Sequence, residues 1–279
     1  MSETSAAAAL WARYRAAEPS PSADPATLPW NEVLATVLAH KSVRSYLPTP
    51  VPPGTLELLI AAAQSAATSS NLQAWSVVAV EDPERKGRLS EFTGSQRHVR
   101  DCPLFLVWLA DLARLDRIGK DHGSPLAGLD YLEVLIVAII DAALAAQNAV
   151  VALESLGLGA VYVGAIRNRP EQVSAELGLP PLVMPVFGLC VGYPDPEHPA
   201  SVKPRLPQGA VLHREQYSLD ATRQPIADYD AILQDFQREQ AMKPQGWIDL
   251  VRGRLETVAA LKGRDRLRAA LQSLGFALK

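Results

Sequence analysis

The stretch that decides the fold is residues 134–146, VLIVAIIDAALAA, in which Asp141 is the only polar residue. A helix of this composition carries apolar side chains all round and is buried on nearly every side. The helical pattern extends around it from about Pro125 to Leu156. We therefore predict a central helix, of the kind that two subunits can share. A carboxylate such as Asp141 at this position is more often hydrogen-bonded and structural than a catalytic acid.

Four shorter apolar runs on either side of this helix predict the core strands. They are WSVVAVED (75–82), CPLFLVWLAD (102–111), GAVYVGAI (159–166) and PVFGLCVGYP (185–194). About seven helices are predicted in all, ending with two polar helices at about 220–242 and 246–274. The order of these elements is not a strict alternation of strand and helix, which favours a layered α+β fold over a doubly wound one.

The composition indicates an ordinary globular protein, with 48% hydrophobic and 20% charged residues and a net charge of −3. This charge gives no electrostatic reason to expect a nucleic acid or an anionic membrane as partner. The two cysteines have no metal-ligand spacing, and the N-terminus has no secretory pattern. We predict a cytoplasmic protein in which residues 1–29 form an arm or linker, with a short helix at about 5–18, and residues 30–279 form one domain.

Two cation-bearing segments stand out in this acidic chain. HKSVRSY (40–46) follows a predicted helix, and the prolines of KPRLP (203–207) hold an extended backbone on which Lys203 and Arg205 point the same way. Each segment alone is compatible with a solvated surface. Their occurrence together favours a pocket for one phosphate, although spacing alone does not show that they converge.

Two further segments combine polar or small residues with the ends of apolar elements. TSSNLQ (68–73) is either a polar helix cap or a set of hydrogen-bond donors for a heterocycle or a ribityl chain. Gly164 falls in a strand-like run, where it marks either a bulge or a close approach of the backbone to a ligand. The histidines have no ligand-like spacing, so we predict no metal site.

Five motifs in order resemble the nitroreductase family: HKSVR (40–44), TSSNLQ (68–73), GSQRHV (94–99), GAVYVG (159–164) and KPRLP (203–207). The resemblance runs from about Trp30 to the C-terminus. It is strongest to the group A branch, the NADPH-dependent flavin oxidoreductases and oxygen-insensitive nitroreductases. It implies a nitroreductase-like fold, with a mostly antiparallel sheet flanked by helices and an intertwined homodimer that binds FMN at its interface. Residues from about 195 to 260 would be the excursion that wraps the partner subunit.

The resemblance also implies a reaction. NADPH, with NADH as a second possible donor, would deliver a hydride to the flavin N5 and leave. A nitroaromatic, a quinone or a free flavin would then be reduced in the same space. No protein group has to act as a general acid, so no catalytic residue is assigned.

Carried over residue by residue, the resemblance implies a cofactor site made from all five motifs. The first and last motifs would hold the phosphate, Gln96 the ribityl chain or ring edge, and the Gly164 N–H would face N5, with residues 68–73 supplied largely by the second subunit. The implied cofactor-binding residues are His40, Lys41, Ser42, Val43, Arg44, Thr68, Ser69, Ser70, Asn71, Gln73, Gln96, Tyr162, Val163, Gly164, Ala165, Lys203 and Arg205.

Some positions depart from the family pattern. Lys41 stands where arginine is usual, which keeps the charge and loses a bidentate fork. Ala165 replaces a common second glycine. The segment expected to grip the NADPH 2′-phosphate is poor in arginine, and its candidates are Arg238 and Lys243, with Arg264 in the last helix.

Two alternatives stay open at this point. One is an enzyme of the same fold with a specialised substrate, acting in flavin fragmentation, dehalogenation or ring oxidation. The other is a non-enzymatic flavin-binding sensor. The sequence does not identify the physiological electron acceptor.

Overall fold

The computed structural model describes residues 5–15 and 28–279. Within that part of the chain the helices are α1 (Ala6–Tyr14), α2 (Glu32–Leu38), α3 (Thr55–Gln64), α4 (Pro83–Phe92), α5 (Arg97–Asp101), α6 (Ala113–Asp121), α7 (Leu132–Ser155), α8 (Pro170–Leu177), α9 (Arg223–Glu239), α10 (Trp247–Leu255) and α11 (Leu267–Ser273). The strands are β1 (Trp75–Val80), β2 (Leu104–Asp111), β3 (Gly159–Val163) and β4 (Val183–Gly192).

The chain divides into two compact units. The first, which we call the small unit, comprises the residues up to 41 and residues 201–261; it contains α1, α2, α9 and α10. The second, the sheet unit, comprises residues 42–200 and 262–279 and contains all four strands named above. The predicted division into an arm of residues 1–29 and a domain of residues 30–279 stays a prediction.

The described strands form one sheet in the order β1-β2-β4-β3, and each neighbouring pair is antiparallel. This confirms the predicted α+β class and the antiparallel sheet. Strand β2 lies between β1 and β4, and its residues from Leu104 to Ala110 are buried on both faces of the sheet. Its continuous apolar sequence is therefore explained by helices and loops covering both faces.

Helix α7 packs one of its faces into the core of the sheet unit. Asp141, Ala142, Ala145 and Ala149 are on this buried face, where small side chains let the helix approach the sheet closely. The helix is long and apolar enough to cross a membrane by length and composition alone. Its buried face is that of a core helix, which satisfies the same criterion.

The opposite face of α7 corrects one prediction. A stripe formed by Leu132, Ile136, Ile140 and Leu144 is 43–49% exposed, so within one chain the helix is not buried on nearly every side. These residues recur every four positions, which is one line along a helix surface. We call them the α7 stripe.

Several predicted boundaries also differ. The central helix begins at Leu132 rather than near Pro125, because residues 127–130 form a short 3₁₀ turn. The last predicted helix (246–274) is broken into α10, short 3₁₀ turns and α11, with Gly263 at a φ of +86° between them. The arm helix starts after Ser5, whose hydroxyl accepts from the N–H of Ala8, and ends at Tyr14. Residues 16–18 of that prediction lie outside the described residues.

Candidate functional site

The KPRLP segment of the small unit has a fixed backbone. The Tyr229 hydroxyl of α9 donates to the Pro204 carbonyl at 2.9 Å, and the Arg205 N–H donates to the Arg13 carbonyl at 2.9 Å. Pro204 is buried, whereas the side chains of Lys203 and Arg205 on either side of it are exposed. The alternation confirms that these two cations lie on the same side of an extended segment.

The other cation segment of the small unit is the end of α2. The α2 helix stops at Leu38, and His40 and Lys41 follow, His40 half-buried and Lys41 exposed. Arg13 of α1 joins this end to the KPRLP segment. Its guanidinium donates to the carbonyls of Leu38 and His40, both at 2.8 Å, and to that of Lys203 at 2.9 Å. The structure thus brings together four of the residues predicted for phosphate binding: His40, Lys41, Lys203 and Arg205.

The sequence analysis did not identify Arg13. Its acceptors are 25, 27 and 190 residues away along the chain, and no local pattern marks such contacts. The sequence did contain one sign of this role. Arg13 is a charged residue in an alanine-rich helix whose other residues are mostly apolar.

Residues 42–46 of the same motif belong to the sheet unit and run along an edge of its sheet. Ser42 forms a parallel bridge with Ala160, and the Val43 N–H donates to the Ala160 carbonyl at 2.9 Å. The Tyr46 hydroxyl donates to the Val43 carbonyl at 2.6 Å and contacts the Cys190 carbonyl at 3.3 Å. The segment is therefore held as an additional extended piece beside β3 and β4.

Val43 has a packing role within this segment. Its side chain is buried, and a Cβ built on Gly159 would come within 2.5 Å of its Cγ2. Val43 was predicted among the cofactor-binding residues, and the structure places its side chain against the sheet. The polar groups of this segment belong to its neighbours: Ser42 is half-buried and Arg44 is exposed.

Arg44 influences a histidine of the third motif, GSQRHV (94–99). The pKa of His98 is lowered from its ordinary value, first by burial and then by the positive charge of Arg44, against an opposing effect of Asp101. In the same motif the Gln96 side-chain amide donates to the Thr93 carbonyl at 2.8 Å. The third motif and Arg44 are thus neighbours within the sheet unit.

The TSSNLQ loop is held by a carboxylate from the centre of α7. Asp141 is 1% exposed and accepts from the Thr68 hydroxyl at 2.6 Å. It also accepts from the backbone N–H groups of Ser69 at 3.1 Å and Ala74 at 3.2 Å. The prediction that Asp141 is a hydrogen-bonded buried carboxylate is confirmed.

The loop that Asp141 holds has an unusual backbone. Ser70, Asn71 and Gln73 have φ values of +50°, +55° and +50°, a left-handed region that costs a non-glycine residue about 1 kcal/mol or more. Asn71 and Gln73 border an open cavity of about 650 Å³, which Arg114 also lines while it donates to the Gln73 carbonyl at 2.5 Å. A strained loop beside a cavity is a frequent arrangement at binding sites.

Gly164 lies immediately after β3, at the start of a 3₁₀ turn, rather than within a strand as predicted. Its φ is outside the left-handed region, so the backbone does not require glycine. The three atoms nearest to a Cβ added there, at 3.4–4.0 Å, all belong to the Arg167 guanidinium. A Cβ at this position would make ordinary van der Waals contact with this charged group, and the glycine leaves that space beside the backbone open.

Arg167 is a second residue that the sequence analysis missed. Its guanidinium donates to the Val186 carbonyl of β4, and its pKa is lowered by burial and by the nearby charge of Arg264. Arg266, two residues after Arg264, forms a bidentate pair with Glu171 at the start of α8. Arg167 thus places a positive charge beside Gly164, and the charge of Arg264 acts on Arg167.

The three candidates for NADPH binding are divided between the two units. Arg264 belongs to the sheet unit, and Arg238 and Lys243 belong to the small unit. Arg238 forms an ion pair with Asp235 one turn earlier on α9 and contacts Gln234. Lys243 is exposed in the turn after α9.

The remaining predicted residues lie around β3. Tyr162 is partly exposed, stacks edge-on against Phe187 with ring centroids 5.2 Å apart, and its hydroxyl donates to Gln147 at 3.4 Å. Val163 is buried and Ala165 is half-buried. Among residues 5–15 and 28–279, no group of three or more His, Cys, Asp or Glu side chains is placed to hold a metal ion.

Comparison with known proteins gives consistent matches over most of the chain. The family model described as "Nitroreductase family" matches residues 37–111 and 133–193, and that described as "Nitroreductase family, C-terminal domain" matches residues 203–279. The chain is 38% identical over 229 residues to a Bacillus subtilis FMN reductase (NADPH), which covers 79% of this chain and 90% of the relative. It is 35% identical over 249 residues to the Vibrio harveyi NADPH-flavin oxidoreductase, covering 88% and 99%.

A solved structure shows the same fold. The structure of Bacillus megaterium NfrA2 is similar with a TM-score of 0.84 and 38% identity, covering 90% of this chain and all of that one. The similarity therefore extends over both the sheet and the C-terminal elements.

Proposed function

This chain belongs to the nitroreductase family, and from that premise we propose that it is an FMN-dependent oxidoreductase that uses NADPH to reduce nitroaromatics, quinones or free flavins. The observation that carries the proposal is the pair of cation segments of the small unit, His40-Lys41 and Lys203–Arg205, in a chain 38% identical to an FMN reductase.

The residues present fit FMN in their chemistry. A phosphate needs cations on a fixed backbone, and Lys203 and Arg205 are exposed cations whose backbone is hydrogen-bonded on both sides. A flat ring needs a backbone that it can approach, and Gly164 lacks a side chain where its own conformation would allow one. When bound, FMN supplies the redox chemistry, taking a hydride from NADPH and passing electrons to a second substrate.

The cations of the small unit would neutralise the phosphate group. Arg205 offers a planar fork that can bond two phosphate oxygens, whereas Lys41 and Lys203 act as point charges. In the sheet unit, Ser42 and Arg44 follow Lys41 directly in the chain and would add one hydroxyl and one further cation. These groups hold the cofactor and do not take part in the redox step.

The TSSNLQ loop would supply hydroxyl and amide groups to the cofactor bound mainly by the second subunit. The carboxylate oxygens of Asp141 accept hydrogen bonds from Thr68, Ser69 and Ala74, and these bonds fix the position of the loop. The side chains of Ser70 and Asn71 are left exposed. A preorganised loop of this kind loses little freedom when it binds a ligand.

Arg264 is the candidate for the 2′-phosphate of NADPH that lies in the same unit as Gly164. Its charge acts on Arg167 beside Gly164, and two facing cations are stabilised when a phosphate lies near them. Arg238 forms an ion pair with Asp235 in the small unit. NADPH is the donor named for the two reductases reported above, and NADH stays a second possible donor.

The enzyme would work as a homodimer in the cytoplasm. The α7 stripe is an apolar surface along one line of a long helix, the form of surface that two helices bury against each other. Cys102 and Cys190 are both buried free thiols, as expected in a reducing compartment.

An anaerobic titration tests the proposed function. The purified chain, reconstituted with FMN, should lose its yellow flavin absorbance when NADPH is added and regain it when menadione or nitrofurazone follows. A protein that takes up no FMN and oxidises no NADPH would refute the proposal. FMN that binds but is not bleached would instead support the sensor alternative, and bleaching without turnover of any acceptor would support a specialised substrate.

A further inference from the structure

The end of helix α1 holds an arginine that is almost completely buried. Arg13 is 6% exposed, and its guanidinium donates to three backbone carbonyls, those of Leu38, His40 and Lys203, at 2.8–2.9 Å. Arginine is seldom buried to this extent unless its donors are paired. Hydrogen bonds from a charged donor are about twice as strong as neutral ones, so this contact is a strong link between distant segments.

The link is reinforced from the main chain of α1. The Arg13 carbonyl accepts from the Arg205 N–H at 2.9 Å, so Arg13 both donates to and accepts from the KPRLP segment. Its other acceptors lie at the end of α2. The carbonyls of Leu38, His40 and Lys203 and the N–H of Arg205 thus all belong to the two segments that carry His40, Lys41, Lys203 and Arg205.

Resting on the proposed function, we propose that Arg13 is a positioning residue for the FMN phosphate. It holds the backbones of the two cation segments in one arrangement while their side chains stay exposed. The cations are then ordered before the ligand arrives, and binding does not have to order them. Arg13 acts through its neighbours and needs no contact with the cofactor.

Helix α1 lies outside the residues matched by the family models, which begin at residue 37. The acceptors of Arg13 at positions 38, 40 and 203 lie inside those ranges. The contact therefore connects a segment outside the matched ranges to the backbone of the proposed phosphate-binding motifs. Through this contact the N-terminal arm would contribute to cofactor retention.

The test compares FMN and riboflavin binding to the full-length apoprotein, followed by flavin fluorescence. Arg13→Gln should raise the FMN dissociation constant about tenfold, the order expected when two long side chains must be ordered on binding. Riboflavin lacks the phosphate, and its dissociation constant should change less than twofold by the same reasoning. A general loss of folding would weaken both ligands alike and would overturn the proposal.

A second variant of Arg13 separates geometry from charge. Arg13→Lys keeps the positive charge but has a single ammonium in place of the fork that bridges the two segments, so it should resemble Arg13→Gln. Wild-type affinity in Arg13→Lys would show that charge alone matters and would contradict positioning.

Arg15→Gln is the matched control. Arg15 is on the same end of α1 but pairs with Glu239 at 2.9 Å, and its removal should leave FMN affinity unchanged. Unchanged FMN affinity in Arg13→Gln, or equal losses in the two glutamine variants, would overturn this inference while leaving the proposed function intact. A wild-type apoprotein that binds no FMN would refute both.

Discussion

Asp141 stabilises a loop whose backbone is strained, and this gives a first prediction. In Asp141→Asn an amide group replaces one oxygen, so one of the buried donors from Thr68, Ser69 or Ala74 loses its acceptor. Leaving such a donor unpaired costs about 2 kcal/mol of unfolding free energy. Urea unfolding of the apoprotein measures this loss.

A surface carboxylate provides the comparison for Asp141. Asp116→Asn removes an ion pair with Lys120, whose side chain is 73% exposed, and should cost at most about 0.5 kcal/mol. Equal losses in the two variants would mean that Asp141 does not anchor the loop.

His98 gives a second prediction, which concerns pH. Its folded-state pKa lies below its ordinary value of 6.5 because of burial and the charge of Arg44. Between these two pKa values the unfolded chain therefore binds more protons than the native one. Its contribution to stability is present above pH 6.5 and is lost as the pH falls through the lowered pKa.

The measurement is the unfolding free energy above and below that window. His98→Gln should lose less stability on acidification than the wild-type protein. A His98→Gln profile that follows the wild-type profile would contradict the assignment.

The α7 stripe leads to a third prediction, about association. A glutamate at Ile140 would have to be buried, unpaired, in the proposed helix contact between subunits, which is strongly unfavourable. Ile140→Glu should shift the protein from dimer to monomer in sedimentation velocity. Ile118→Glu, on α6 and equally exposed in the chain, should leave the dimer intact. A dimeric Ile140→Glu protein would exclude the stripe as the contact.

The elements that the sequence predicted well are those whose composition reflects complete burial. Strand β2 is apolar on both faces and was found within two residues of its start. Helix α6 was missed because its charged residues, such as Asp116 and Lys120, pair along an exposed surface and leave little apolar periodicity. The break near Gly263 was missed as well, since the helical pattern continues on both sides of it.

The site was predictable to the extent that its residues form local motifs. The two cations of KPRLP could be recognised from the sequence because prolines restrict the backbone locally, independently of the rest of the chain. Arg13 and Arg167 could not be found in this way, since their function depends on carbonyls from distant segments. The HKSVRSY motif is continuous in sequence, yet the chain passes from the small unit to the sheet unit between Lys41 and Ser42.

The net negative charge of the whole protein opposes the binding of an anionic phosphate that is proposed for the two cation segments. With 27 Lys and Arg against 30 Asp and Glu, the net charge of −3 repels an anionic cofactor at long range, whereas the cations of the phosphate-binding segments attract it at short range. The two effects respond to salt in opposite directions. Screening of the long-range repulsion would tighten binding, and screening of exposed short-range cations would weaken it.

We expect the short-range attraction to dominate, because Coulomb energies fall with distance and a contact at about 4 Å is worth several times one at about 20 Å. Raising NaCl from roughly 0.05 M to roughly 0.5 M should therefore increase the FMN dissociation constant severalfold, since the Debye length falls to a few ångströms. Riboflavin has no phosphate, and its dissociation constant should hardly change over the same range. Parallel salt dependence of FMN and riboflavin, or tighter FMN binding at high salt, would show that the phosphate is not held by the exposed cations of these segments.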